Sequence, residues 1–293
     1  MTIPSAPAVQ SFTIGNISVS KVLDCIEPTS PRFLYVDKSK EDFQPYLDWL
    51  QPHFLDAGRR MLLSIHTFLI QTAHHTILVD TCVGNDKQGL AFPQWNERQE
   101  DVYLRDLAAV GYSPQDVDYV FCTHMHLDHT GWNTRLQDGR WTPTFPNATY
   151  LFNKQEWEHW KDEPNPEDQA VVEQNITPII EAGLVEWVDN AWGIDDEVSL
   201  VPTPGHTPGH CSVQLGSNGK QAIITGDIMV NPVQVAEPHW SQIADTDKAL
   251  AIETRTQFID QHCDTDTMIL GTHFNTPTGV YIVSQGEQKR IRW

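Results

Sequence analysis

Apolar and polar positions alternate with a period of two in many short runs of this chain, and with a helical period in only a few. Residues 11–14 and 17–24 flank Gly15-Asn16, a dipeptide suited to a tight primed turn, and predict a hairpin. Residues 64–71 and 76–80 predict the next two strands. Further strands are predicted at 117–122, 148–152, 184–188, 198–201, 211–215, 221–225 and 268–270, with Asn218-Gly219 turning a second hairpin. Helical spacing marks 102–110, ended by Gly111, then 154–161 and 167–182, which the breaker run EPNP separates, and finally 247–262. Ser113, Pro114 and Asp116 read as N-cap, N1 and N3 of a short turn ahead of the 117–122 strand. Residues 27–60 differ from the rest. Their prolines and aromatics, with Phe43, Tyr46, Leu47 and Leu50 at helical spacing, predict an insertion carrying a short helix. It would serve as a lid, as an arm to a second subunit, or as a small core of its own.

Composition narrows the class. A hydrophobic fraction of 40% with ten Trp and eleven Phe can fill a core, and no run of eighteen apolar residues predicts a membrane span. A length of 293 residues suits one large domain or two small ones. We take the whole of 1–293 as a single domain, with the insertion at about 27–60. MTIPSAPAVQ has neither a basic n-region nor an apolar h-region, which predicts a cytoplasmic protein. Five widely spaced cysteines without a C-x-x-C pair predict free thiols, and the glycosylation triplets at Asn16, Asn147 and Asn175 carry no meaning in that compartment. Nineteen basic residues against 39 acidic give a net charge of −20, which argues against nucleic acid as a partner, since that affinity comes from neutralising phosphates.

The chemistry concentrates in FCTHMHLDHTG at 121–131, where His124, His126, Asp128 and His129 follow a predicted strand. If the segment stays extended, His124, His126 and Asp128 point one way and His129 breaks the alternation, so that one loop feeds two metals. Three later stretches each add a ligand at the end of a predicted strand: His206 in TPGHTPGH, Asp227 in AIITGD and His273 in MILGTHF. Five imidazoles and two carboxylates suit zinc, iron, cobalt or manganese.

With these residues in hand, the chain resembles the metallo-β-lactamase superfamily over residues 60–285. The resemblance implies an α+β fold, an αββα sandwich of two mixed β-sheets with helices on the outer faces, which the two blocks of strands and helices match. It also implies the ligand sets: His124, His126 and His206 for one ion, Asp128, His129 and His273 for the other, Asp227 between them. Asp80 would support the ligand loop from behind. Two divalent ions, zinc first, would then hold a bridging hydroxide for hydrolysis of a small molecule, with Asp128 or Asp227 protonating the leaving oxygen.

HMHLDHTGW, the GNDK run at 84–87 and GTHF resemble the N-acyl homoserine lactone lactonase and methyl parathion hydrolase-like group, which implies a neutral ester, lactone or phosphotriester as substrate. The tyrosine that many such lactonases carry three residues after the bridging aspartate is replaced here by Val230. Trp132 and Phe274 read either as an apolar wall of the pocket or as plain packing; His210 reads as a brace for the His206 loop and His239 as a proton donor. Analogy adds a homodimer. The rival from another class is a mononuclear iron persulfide dioxygenase, which uses two histidines and an aspartate from similar positions.

Overall fold

The strand Met61–Gln71 is buried at ten of its eleven positions, which is what its near-continuous run of Leu, Ile and Phe requires of a strand covered on both faces. It belongs to a seven-stranded mixed sheet, ordered Val9–Ile14, Ile17–Thr29, Met61–Gln71, Thr76–Val79, Tyr119–Phe121, Thr149–Asn153 and Val185–Val188. A six-stranded mixed sheet runs Val198–Pro202, Cys211–Ser217, Lys220–Ile224, Met268–Leu270, Gly279–Gln285 and Gln288–Arg292. The structure is a computed structural model and describes residues 9–293. Residues 1–8, most of the stretch inspected for a secretion signal, lie outside the described residues.

The predicted hairpin is present, with Ile14 opposite Ile17 and Gly15 at φ 61°, the left-handed turn conformation glycine permits. Its second strand continues to Thr29, into the stretch expected to start the insertion. The second hairpin pairs Ser217 with Lys220 across Asn218-Gly219. Two ribbons went unpredicted: Thr134–Gln137 with Arg140–Pro143, and Gly279–Gln285 with Gln288–Arg292. Both have readable signals, Asp138-Gly139 in one and a buried-facing Val280 and Ile282 alternation in the other. The helix expected at 167–182 runs as Pro166–Val171 and Thr177–Glu181 with a π-helical turn, Val172–Ile176, between them. The last long helix is Lys248–His262, capped by the Asp247 side chain accepting from the Leu250 N–H. No helix among the described residues is long and apolar enough to cross a membrane.

Contacts divide the chain into two units, one of residues 9–24 and 65–189, the other of residues 25–64 and 190–293. In the second, the aromatics of the 27–60 stretch do not form a core of their own. Tyr35, Phe43 and Tyr46 meet Trp240 edge-on at ring separations of 5.6, 5.1 and 6.2 Å, each such pair adding about 0.5–1.5 kcal/mol beyond area burial. Phe54 packs on Phe274 in the same cluster. In the first unit, Trp132 stacks on Tyr103 at 5.2 Å and 11°. Both Trp132 and Phe274 are buried, so of the two readings offered for them packing is the one realised. None of the five cysteines is joined in a disulfide.

Candidate metal centre

The first unit carries four of the seven expected ligands on one short loop. His126 is still extended, at φ −67° and ψ 161°, but Leu127–Thr130 turns into a helix. The expected strand-like alternation therefore fails at Asp128, which sits in the first helical turn beside His129. The reason is local: Thr130 Oγ1 donates to the His126 carbonyl (3.1 Å) and the His129 N–H to the same oxygen (3.2 Å), closing a turn that an extended chain cannot make.

One carboxylate orders two of these imidazoles. Asp80, buried and held at φ 59° just past the strand Thr76–Val79, faces His129 Nδ1 at 2.9 Å. It also accepts from the Thr123 N–H (2.8 Å) and from the Thr123 hydroxyl (3.0 Å). Because that hydroxyl has only one proton and gives it to Asp80, its oxygen must accept from His124 Nδ1, 3.1 Å away. Nε2 of both rings is thereby left as the metal-competent nitrogen. His124 Nε2 and His126 Nδ1 lie 2.8 Å apart, close enough to serve one ion together. Asp128, with 18% of its side chain exposed, is the more open carboxylate, and its Oδ1 is 3.6 Å from His129 Nε2.

The loop is locked from outside by backbone. The Thr81 N–H donates to the His129 carbonyl, the Gly131 N–H to Cys82 and the Trp132 N–H to Thr81, all at 2.7 Å. A Cβ on Gly131 would stand 1.8 Å from the Val83 oxygen, so only glycine admits this crossing. The π-turn adds Asn175, whose amide donates to Thr130 Oγ1 at 3.0 Å. Trp160 lies edge-on to His126 at 5.2 Å, and the buried Glu156 accepts from both the Trp160 indole and the Met125 N–H. Lys87, in the GNDK run, is also buried, with Nζ 2.7 Å from Thr134 Oγ1 and 3.8 Å from the Trp141 ring centre. Burial holds its pKa well below the usual lysine value.

The second unit brings together the other three. His206 Nδ1 bonds to Asp245 at 2.9 Å, which turns Nε2 toward Asp227 Oδ2, 3.5 Å away. His273 Nδ1 donates to the Ser64 carbonyl (3.2 Å), and its Nε2 lies 3.0 Å from Asp227 Oδ1. The two oxygens of Asp227 are therefore divided between two imidazoles. The Asp227 backbone is held at both ends, its N–H by His210 Nε2 (2.8 Å) and its carbonyl by the Gln242 amide (2.6 Å). His210 Nδ1 in turn donates to the Thr203 carbonyl (3.0 Å), which makes this ring a neutral brace, although for the Asp227 turn rather than for the His206 loop alone. His239, read as a proton donor, is exposed, and its Nδ1 lies 3.4 Å from the Glu237 carboxylate.

Burial by itself would raise the Asp245 carboxyl. The hydrogen bond and charge of His206, the Arg255 guanidinium and the Gln242 N–H outweigh it and hold the group below the usual carboxylate range. Asp245 and Thr123 carry no signal in the sequence, because these side chains act on partners that spacing does not single out. Arg255 had one readable signal: it sits at the centre of the helical face formed by Ala251, Arg255, Phe258 and Ile259.

The donor set fits a metal on its own chemistry. His124, His206 and His273 each engage Nδ1 in a hydrogen bond, His129 faces a carboxylate with the same atom, and each leaves Nε2 for a ligand, the usual state of metal-binding imidazoles.

Comparison with known proteins gives four findings. A family model described as the metallo-beta-lactamase superfamily matches residues 60–273. An N-acyl homoserine lactonase of a Bacillus species is 28% identical over 173 residues, which span 55% of this chain and 62% of that protein's length. The solved structure of a hydrolase in the beta lactamase superfamily, AbOPH, aligns with a TM-score of 0.81 at 23% identity, covering 98% of this chain and 97% of that one. AidC, a dizinc quorum-quenching lactonase in complex with a product, aligns with a TM-score of 0.81 at 20% identity and covers 97% of each chain. At such identities the two structures speak for the fold, which agrees with the α+β class expected from the sequence.

Proposed function

The chain belongs to the metallo-β-lactamase superfamily, and from that footing we propose that it is a dinuclear metal-dependent hydrolase. His124, His126 and His206 would hold one divalent ion, Asp128, His129 and His273 the other, and Asp227 both, with zinc the best match to this mixture of imidazole and carboxylate. The observation that carries the reading is the divided Asp227 carboxylate, whose Oδ2 faces His206 and whose Oδ1 faces His273. When bound, such a pair of ions supplies Lewis acidity, activating water near neutral pH and polarising a carbonyl or phosphoryl oxygen.

The chain's own part is to fix the donors and move a proton. Asp227, anchored through its N–H and its carbonyl, is suited to a fixed charge between two cations. Asp128, on a short helix and twice as exposed at 18% against 9%, is suited to protonating the leaving oxygen. The substrate is a neutral ester, lactone or phosphotriester, for which the net charge of −20 raises no repulsion. A lactone ranks first because the relatives are N-acyl homoserine lactonases. The same reading takes 1–293 as one functional domain of a cytoplasmic homodimer.

The test is turnover of a lactone, an aryl ester and a phosphotriester by zinc-loaded protein. We expect the lactone to open fastest, with activity lost on chelation and restored by zinc. Protein that holds two zinc ions and turns over none of the three refutes the assignment. One iron per chain with oxygen uptake on a persulfide would replace it with the dioxygenase.

A further inference from the structure

An arginine at the middle of a buried helical face needs a reason, and Arg255 has none of its surface exposed. Its Nε donates to the Ile228 carbonyl at 2.6 Å, one residue past Asp227, and its Nη1 to the Pro238 and Trp240 carbonyls at 2.8 and 3.0 Å. Its Nη2 lies 3.6 Å from Asp245 Oδ2, the carboxylate whose other oxygen orients His206. One planar guanidinium thus ties the turn that presents Asp227 to the group that aims His206. Gln242 is a second tie, its amide on the Asp227 carbonyl and its N–H on Asp245. The same helix meets the His206 loop one turn earlier: a Cβ on Gly205 would stand 2.3 Å from the Ala251 nitrogen.

We infer that Arg255, assisted by Gln242, is a positioning residue that sets the spacing between His206 and Asp227. The inference rests on the dinuclear reading above. A guanidinium suits the task because its donors point in fixed directions and it does not deprotonate, whereas a lysine ammonium can satisfy only part of the same set of acceptors. Asp245 neutralises the buried charge, and the Ser241 hydroxyl and Gln242 N–H complete its bonds at 3.0 and 2.8 Å.

Arg255→Lys separates geometry from charge. Folding is checked by circular dichroism, and zinc affinity is titrated against a chromophoric chelator, with the visible bands of the cobalt(II) form as a second readout. We expect folded R255K to bind at least one of two zinc ions about 10–100-fold more weakly, the range for partners that orient metal ligands, and its cobalt bands to shift. Folded R255K with both wild-type affinities and wild-type bands overturns the inference. If R255K does not fold, Gln242→Met gives the same readout without a change of charge: weakened zinc supports the strap and unchanged affinity overturns it. None of these titrations needs a substrate, so wild-type protein that fails to take two ions would count against the dinuclear reading itself.

Discussion

Replacing Asp80 by asparagine should disturb two imidazoles through a single atom. In the native site one carboxylate oxygen serves the Thr123 N–H at 2.8 Å and the other faces His129 Nδ1 at 2.9 Å. An amide has only one oxygen. If that oxygen stays on the Thr123 N–H, the new NH2 confronts His129 Nδ1 and moves the ring proton to Nε2, the nitrogen needed for the metal. If the amide flips, its NH2 confronts the Thr123 N–H instead, and the hydroxyl that orients His124 must turn from the oxygen at 3.0 Å to the remaining one at 3.1 Å. Either way a ligand is misaligned or carries the wrong proton. Loss of such an orienting partner typically weakens metal binding about 10–100-fold, or ~1.4–2.8 kcal/mol. Loss of a charge-assisted hydrogen bond in a buried site should lower folding stability by a further ~1.5–3 kcal/mol. Zinc competition with a chelator measures the first quantity, and urea unfolding of metal-free protein the second. Asp80→Asn protein that binds two zinc ions as tightly as wild type would refute the tautomer argument.

Asp227→Asn keeps the shape of the side chain proposed to hold both ions but removes its charge; bound zinc should fall from two ions toward one and turnover by roughly 10²–10³-fold, checked by elemental analysis beside kinetics. Gly131→Ala places a methyl where the Val83 oxygen stands 1.8 Å away. The forced shift should cost about 1–3 kcal/mol in urea unfolding, and an unchanged midpoint would show that the loops can part freely. Lys21 is buried on the hairpin strand Ile17–Thr29, and burial lowers its pKa from 10.5 to about 7. The unfolded chain therefore holds this proton more tightly, so the group destabilises the fold fully below about pH 7, and the penalty fades as pH rises toward 10.5. Lys21→Met should accordingly stabilise the protein most in mildly acidic buffer and hardly at all near pH 10.5, whereas a gap that does not change with pH would count against a buried neutral amine.

The sequence by itself determined most of the strands, the two predicted hairpins, the last long helix and the identity of all seven candidate donors. These are properties of short windows: an alternating run, a Gly-Asn or Asn-Gly turn, a histidine at the end of a strand. It also named Asp80 as a support. What it missed rests on particular bonds and contacts that spacing does not display. Whether Asp128 lies on a strand or a helix is settled by Thr130 and the His126 carbonyl, and no period of two reveals that bond. Trp132 could be wall or core until Tyr103 was seen beneath it. Asp245 and Arg255 look like ordinary charges in the sequence, 39 and 28 residues away from the His206 and Asp227 they steady. Local patterning fixes which groups are available, because it depends on the chain's own geometry. Which nitrogen each imidazole offers depends on what closes around its other side, and only the tertiary structure supplies those neighbours.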